Sequence, residues 1–184
     1  MMDIRSISTM GLTGDDVSAI EAADGIEYAE GGYSADVLCA DGANQIVVHV
    51  MSMLPTMNQV QLEAGRLPEK EDECALDVDY LEESDLEIGD TVTLSSGTED
   101  DLTDTLVTDT VTITGAVSSP NYISFQRGST TIGNGSVNAF AYVPEESFAL
   151  DVYTEIYSKV EGAAALTACT AKNDQRRSGL HAIV

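Results

Sequence analysis

The chain has 184 residues, with 32 Asp and Glu against 8 Lys and Arg, so its formal net charge is -24 and its pI lies near 4.1. A surface of that sign repels phosphate backbones and lacks the basic stripe that nucleic-acid binding requires, which excludes nucleic acid as a partner. Hydrophobic residues make up 43% and mean hydropathy is -0.03, so the acidity belongs to the surface of a folding chain rather than to a disordered acidic tail. High solubility or salt adaptation is the plainest account of it. The longest apolar run, Ile46 to Met51, is interrupted by His49 and falls far short of the roughly 18 residues a membrane span needs. Met1 opens no signal sequence, so any export signal or anchor is expected outside the chain.

The first element is an extended stretch, Ile4 to Met10. Thr13-Gly14-Asp15-Asp16 then has the capping-box pattern, with two carboxylates where a helix N-terminus favours them. Val17, Ile20 and Ala23 follow near helical spacing and Gly25 supplies a stop. Ile26 to Leu38 alternates at Tyr33, Ala35 and Val37, with Gly31-Gly32 predicting a bulge or bend. Asp41-Gly42 signals a hairpin into Gln45 to Met53, a strand apolar on both faces and therefore central.

From Pro55 to about Asn138 helical periodicity fades and Thr, Ser, Asp and Gly dominate. Cys74 to Val78 reads as a strand, Asp79 to Asp85 as a helical turn, and Ile88-Gly89-Asp90 as a turn opening Thr91 to Leu94. Glu99 to Asp104 reads as a polar hairpin tip. Thr110 to Val117 is a half-buried strand with Val111, Ile113 and Val117 on one face. Val137 to Val143 and Tyr153 to Val160 are further strands, the second carrying Thr154, Ile156, Ser158 and Val160 on one face. Ala163 to Leu166 begins a helix whose pattern is lost in a tail holding Arg176 and Arg177. The expected organisation is α+β: residues 1–54 open a porter-like βαβ lobe, 55–138 form a β-rich inserted lobe, 139–169 return to the first lobe, and 170–184 are an atypical, disordered tail.

Residues for catalysis are scarce. Cys39, Cys74 and Cys169 are widely spaced and odd in number, and no Cys/His cluster or HExxH pattern predicts a metal. A Cys39–Cys74 disulfide is an alternative to buried free thiols. A triad would have to use His49 or His181; His49 reads as a strand residue rather than a catalytic base. Glu99 to Asp104 lacks the ligand order of a calcium loop, and Gly128 to Gly135 lacks the lysine of a phosphate loop. No catalytic, cofactor-binding or metal residue is therefore assigned. Two other segments stand out. In Gly65-Arg66-Leu67-Pro68, an arginine between Gly and Pro in so acidic a chain is expected to be pinned by a nearby carboxylate, making Gly65, Arg66 and Pro68 a structural turn. Ser119 to Gly128 carries Tyr122, Phe125 and Arg127, the residue types that interfaces favour, so these three form a candidate interaction surface, with packing between lobes as the alternative.

The same segments, in order, resemble the extracytoplasmic domain of MacB/FtsX-type ABC transporter permeases, in particular the large FtsX-like permeases of Gram-positive bacteria. The stretches that carry the likeness begin with Asp3-Ile4-Arg5, Ser8 to Thr13, Asp16-Val17 with Ile20, and Gly25-Ile26. They continue through Gly32 to Val37, Gly65 to Pro68 and Ile88 to Leu94. Gly115 to Pro120, Tyr122 to Ser124 and Ala141 to Pro144 complete the set, so the likeness runs from Asp3 to about Ala168. It implies a MacB-like periplasmic core: a domain on the extracytoplasmic side of the cell membrane, inserted between the first and second transmembrane helices of a longer permease. It implies as partners those helices, a separate cytoplasmic ABC ATPase, and a peptide, lipid or protein substrate. It carries no ATPase chemistry and needs no cofactor, and this chain would be a soluble fragment of the whole.

Two competing readings remain at this stage. A secreted or surface-anchored binding module for glycans or for cell-wall or host proteins is suggested by the β-rich lobe and by Tyr122 and Phe125. A hydrolase built on His49 and an acidic residue predicts an accessible cleft there with a carboxylate or nucleophile in reach.

Overall fold

A computed structural model of the chain describes residues 2–41, 44–122 and 127–163. They form a mixed α+β structure of ten strands and two helices, divided into one unit of residues up to Gly31 with those from Val152 and a second from Gly32 to Asp151. Among the described residues no helix is long and apolar enough to cross a membrane. Phe125 and the 170–184 tail lie outside the described residues.

In the first unit, β1 (Ile4–Leu12) leads into α1 (Gly14–Glu21) and β2 (Ile26–Gly32), and β10 (Tyr153–Val160) lies between the two strands. β1 and β10 are antiparallel, with Ile4 opposite Ser158 and Ile7 opposite Glu155. The central place of β10 buries Glu155 to Ser158 on both faces, where alternation alone predicted a distinct face for alternate residues. Glu155 is 1% exposed. Arg5 makes that burial tolerable by an ion pair: its Nη2 donates to Oε1 at 2.8 Å and its Nε lies 2.5 Å from Oε2. Helix α1 starts as its sequence dictates: the Thr13 hydroxyl accepts from the Asp16 N–H, and Asp16 accepts from the Thr13 N–H at 2.7 Å. That N–H and the Thr13 hydroxyl hold the Asp16 carboxyl below its ordinary range. The helix ends at Glu21, short of Gly25, because none of its residues is buried and packing gives it no reason to extend.

The second unit is a closed barrel. Its strands are β3 (Ser34–Asp41), β4 (Asn44–Ser52), β5 (Gln61–Gly65), β6 (Glu73–Asp77), β7 (Thr91–Ser95), β8 (Thr110–Ser118) and β9 (Ala139–Val143). Pairing runs β8-β6-β9-β4-β3-β7, and β7 pairs again with β8 through Thr91 opposite Thr112. Six strands thus close on themselves, and β5 attaches to β8 beyond the point where β7 leaves it. The β2–β3 stretch, read from sequence as one bent element, is two strands in two sheets, broken at Tyr33. Strand β4 is central as its two apolar faces require, flanked by β3 and β9.

Every barrel strand turns aliphatic residues or cysteine inward: Val37 and Cys39, Val48 and Val50, Cys74 and Leu76, Val92 and Leu94, Val111 and Ile113, Ala141 and Val143. Tyr80, Leu81 and Leu86, on and just after α2 (Val78–Glu83), pack against this interior. So do Leu102 and Phe148, which replaces the hairpin tip expected at 99–104 by a 3-10 turn, Leu102–Asp104, with an apolar anchor. The interior keeps only about 20 Å³ of free space with an apolar lining, room for about one water, so it is a packed core rather than a ligand cavity. Cys39 and Cys74 are both buried there without a disulfide between them, and burial pushes the Cys74 thiol up to about 12.

One expectation fails for a definite reason. Ile113 lies opposite Cys74 but Gly115 lies opposite Ala75, so β8 carries one extra residue, Thr114. This bulge reverses the alternation: Val111 and Ile113 face the barrel interior, whereas Val117 joins Ala75, Phe140 and Tyr142 on the outer side. Thr114 settles its own polar groups, its hydroxyl donating toward the carbonyls of Cys74 (3.2 Å) and Arg66 (3.3 Å) and its carbonyl accepting from the Arg66 N–H.

Candidate functional site

The outer face of β6 and β9 presents Ala75, Asp77, Phe140 and Tyr142. The segment after β8 folds onto it. Ser119 Oγ lies 2.7 Å from Tyr142 Oη, and Asn121 Nδ2 donates to the same oxygen at 3.3 Å. The Tyr122 ring stacks on Phe140 with centroids 4.6 Å apart and planes 5° from parallel. Arg127 sits beside both rings, its guanidinium carbon 5.3 Å from the Phe140 centroid and 5.7 Å from that of Tyr122. Its Nε donates to Asp77 Oδ2 at 2.6 Å, and Nη2 donates to Asp77 Oδ1 at 2.9 Å and to Asp79 Oδ2 at 2.6 Å. The Arg127 and Asp77 side chains are 7% and 2% exposed, Asp79 53%. Burial pushes the Asp77 carboxyl up, against the pull of the guanidinium and of the Asp79 N–H. Tyr122 and Arg127 are therefore brought together, and both are engaged inward on the barrel wall. The charge that this cluster offers to solvent is the Asp79 carboxylate.

The turn at 65–68 sits at the other end of the same strand. Arg66 donates from Nη1 to Glu73 Oε2 (2.7 Å) and from Nη2 to Glu73 Oε1 (2.6 Å), a bidentate link, while the Glu69 N–H donates to Glu73 Oε2 at 2.9 Å. Pro68 is buried. The two arginines thus hold the two ends of β6, Arg66 at Glu73 and Arg127 at Asp77. The Arg66 guanidinium and the Glu69 N–H bring the Glu73 carboxyl from its ordinary 4.5 to about 2. Since the folded value lies below the unfolded one, the stabilisation is complete above about pH 4.5 and is lost as pH falls through about 2. Carbon-detected NMR titration should find Glu73 ionised down to that range, and Arg66→Leu should return its midpoint toward 4.5. An unchanged midpoint in the variant would remove Arg66 as the cause.

No family model matches the chain, and no curated protein matches its sequence. Solved structures do. The crystal structure of the extracellular domain of the noncanonic ABC-type transporter YknZ from Gram-positive bacteria aligns over 93% of this chain and 79% of its own, with a TM-score of 0.52 and 12% identity. The fold is that of the YknZ extracellular domain. The periplasmic region of MacB from Actinobacillus actinomycetemcomitans aligns over 98% of this chain and 77% of its own, with a TM-score of 0.47 and 13% identity.

Within this fold, His49 lies on the barrel's outer side, opposite Asp36 in the β3–β4 register, with Nδ1 2.6 Å from Asp36 Oδ1. The side chains are 17% and 26% exposed. Cys39 and Cys74 face the opposite way, into the barrel, so neither thiol can serve as a nucleophile to this imidazole. Among the described residues no group of three His, Cys, Asp or Glu side chains is placed to hold a metal. Sequence reasoning missed Asp77, Glu73 and Phe140. A signal for the first two existed: acids bounding the apolar run Cys74-Ala75-Leu76 must be buried and hence paired.

Proposed function

We propose that this chain is the extracytoplasmic domain of an ABC transporter permease, a non-catalytic part that couples ATP-driven motion of membrane subunits to the export or handling of a peptide, lipid or protein partner. The fold likeness to the YknZ extracellular domain, spanning 93% of the chain, is the observation that carries the reading. A filled barrel interior, with space for about one water, supports a structural rather than a substrate-enclosing role for the barrel. The partners in this reading are a cytoplasmic ABC ATPase and the transmembrane helices of a longer permease. The test is the intact gene, which should encode four or more apolar spans around this segment beside a gene for an ATP-binding cassette. In that permease, deletion of residues 33–151 should leave association with the ATPase intact and abolish export. A full-length protein without spans, or export undiminished by the deletion, would overturn the reading.

A further inference from the structure

The exposed large apolar residues of the second unit are not scattered. Among its described residues they are Leu62 (42%), Leu67 (37%), Ile88 (41%) and Val107. The first lies on β5, the second just beyond its end, and the Ile88 Cδ1 comes within 3.1 Å of the position a side chain at Gly65 would take. Among the described residues β5 is also the end of its sheet, paired with β8 alone, and all five of its residues are exposed. Residues bracketing it at both ends, Val60 and Leu67, line a cleft of about 170 Å³ together with Met53, Leu54, Asn58 and Tyr142.

The size of the cleft selects its occupant. Small-molecule sites usually run to roughly 300–1,000 Å³, whereas a cavity of about 150 Å³ takes a single benzene ring. This cleft has room for one apolar side chain, delivered by a chain that can lie along an open strand edge. Charge decides what kind of chain. The protein carries -24 overall, and from Val60 to Glu73 there are Glu63, Glu69, Glu71, Asp72 and Glu73 against Arg66 and Lys70. A second copy of this protein would bring the same sign to the contact.

We propose that the β5 edge is a docking site for an extended, cationic segment of a partner protein, which anchors one apolar side chain in the cleft between Val60, Leu67 and Tyr142. This deepens the transporter reading by naming the chemistry of the partner, and it rests on that reading only for its biological setting.

The probe is a fluorescent peptide with a central phenylalanine flanked by lysines, titrated into the full 184-residue chain. It should bind at least tenfold more tightly than its serine-centred counterpart, weaken as salt rises, and shift amide resonances over 53–67. Leu67→Trp, which plugs the cleft mouth at an exposed position, should cost tenfold or more, while Val107→Trp, an exposed site outside the cleft, should change nothing. Equal binding of the serine peptide, shifts elsewhere, or indifference to Leu67→Trp would overturn the site. So would self-association of the chain abolished by Leu67→Trp, which assigns the edge to a second copy, or equal affinity for vesicles of anionic lipid, which assigns it to a membrane. Failure here leaves the gene-context test of the transporter reading untouched, and failure there leaves peptide binding measurable.

Discussion

Asp77→Ala should destabilise the second unit by about 3 kcal/mol, because it removes two charge-assisted hydrogen bonds from the buried Arg127 guanidinium and leaves it the half-exposed Asp79 carboxylate. At 7% exposure, wedged beside Phe140 and Tyr122, that cation has few routes to solvent. The substitution also removes the side-chain oxygen that caps α2 through the Asp79 N–H, a further contribution of about 1 kcal/mol. In thermal denaturation the barrel transition should fall by about 10 °C or more. Arg127→Met alone should be nearly as damaging, leaving a buried carboxylate, whereas the double replacement Asp77→Leu with Arg127→Met should recover most of the loss, since removing both charges removes the desolvation penalty. Single variants that lose under about 1 kcal/mol would show that the pair is hydrated and that aromatic stacking alone holds the segment.

The second large effect is expected at Gly65. It adopts φ +74, and a Cβ there would stand 2.3 Å from the carbonyl oxygen of Thr114 and 2.9 Å from the Cα of Gly115. Both obstacles are backbone, so no rotamer change relieves them. Gly65 and Gly115 are register partners across the β5–β8 pair, and a Cβ on Gly115 would in turn meet the Arg66 carbonyl at 2.3 Å. Gly65→Ala should therefore cost about 3 kcal/mol or more, by forcing β5 from β8 at the bulge. Gly89→Ala is the control: its φ is +106 but nothing lies within 4 Å, so it should show the conformational part alone, about 1 kcal/mol. Equal melting temperatures for the two variants would mean that the strands separate at little cost.

The capping box at Thr13, the hairpin that joins β3 to β4 and the central place of β4 were all legible in the sequence, because each depends on residues close together in the chain or on a period that one strand displays by itself. The α+β class and the likeness to transporter extracellular domains were legible in the order of short motifs. The face of Val117 was not. It depends on Thr114 being bulged, and a bulge is decided by the partner strands β5 and β6 rather than by the alternation within β8.

The clamps differ in the same way. Arg66 meets a carboxylate seven residues away, within reach of a local argument, whereas Arg127 meets Asp77 across fifty residues. With 32 acids in the chain, composition could not single that one out. Barrel closure is the extreme case, since the β7–β8 contact that turns an open sheet into a closed one leaves no trace in either strand's pattern. What the sequence by itself determined was its acidic charge, the helix start and the set of strands, because backbone propensity, capping and hydrophobic period act within a few residues. Which strands met, which face each side chain took and which acid each arginine found were decided only on folding, because water exclusion acts on neighbours in space and the chain brings those together from far apart.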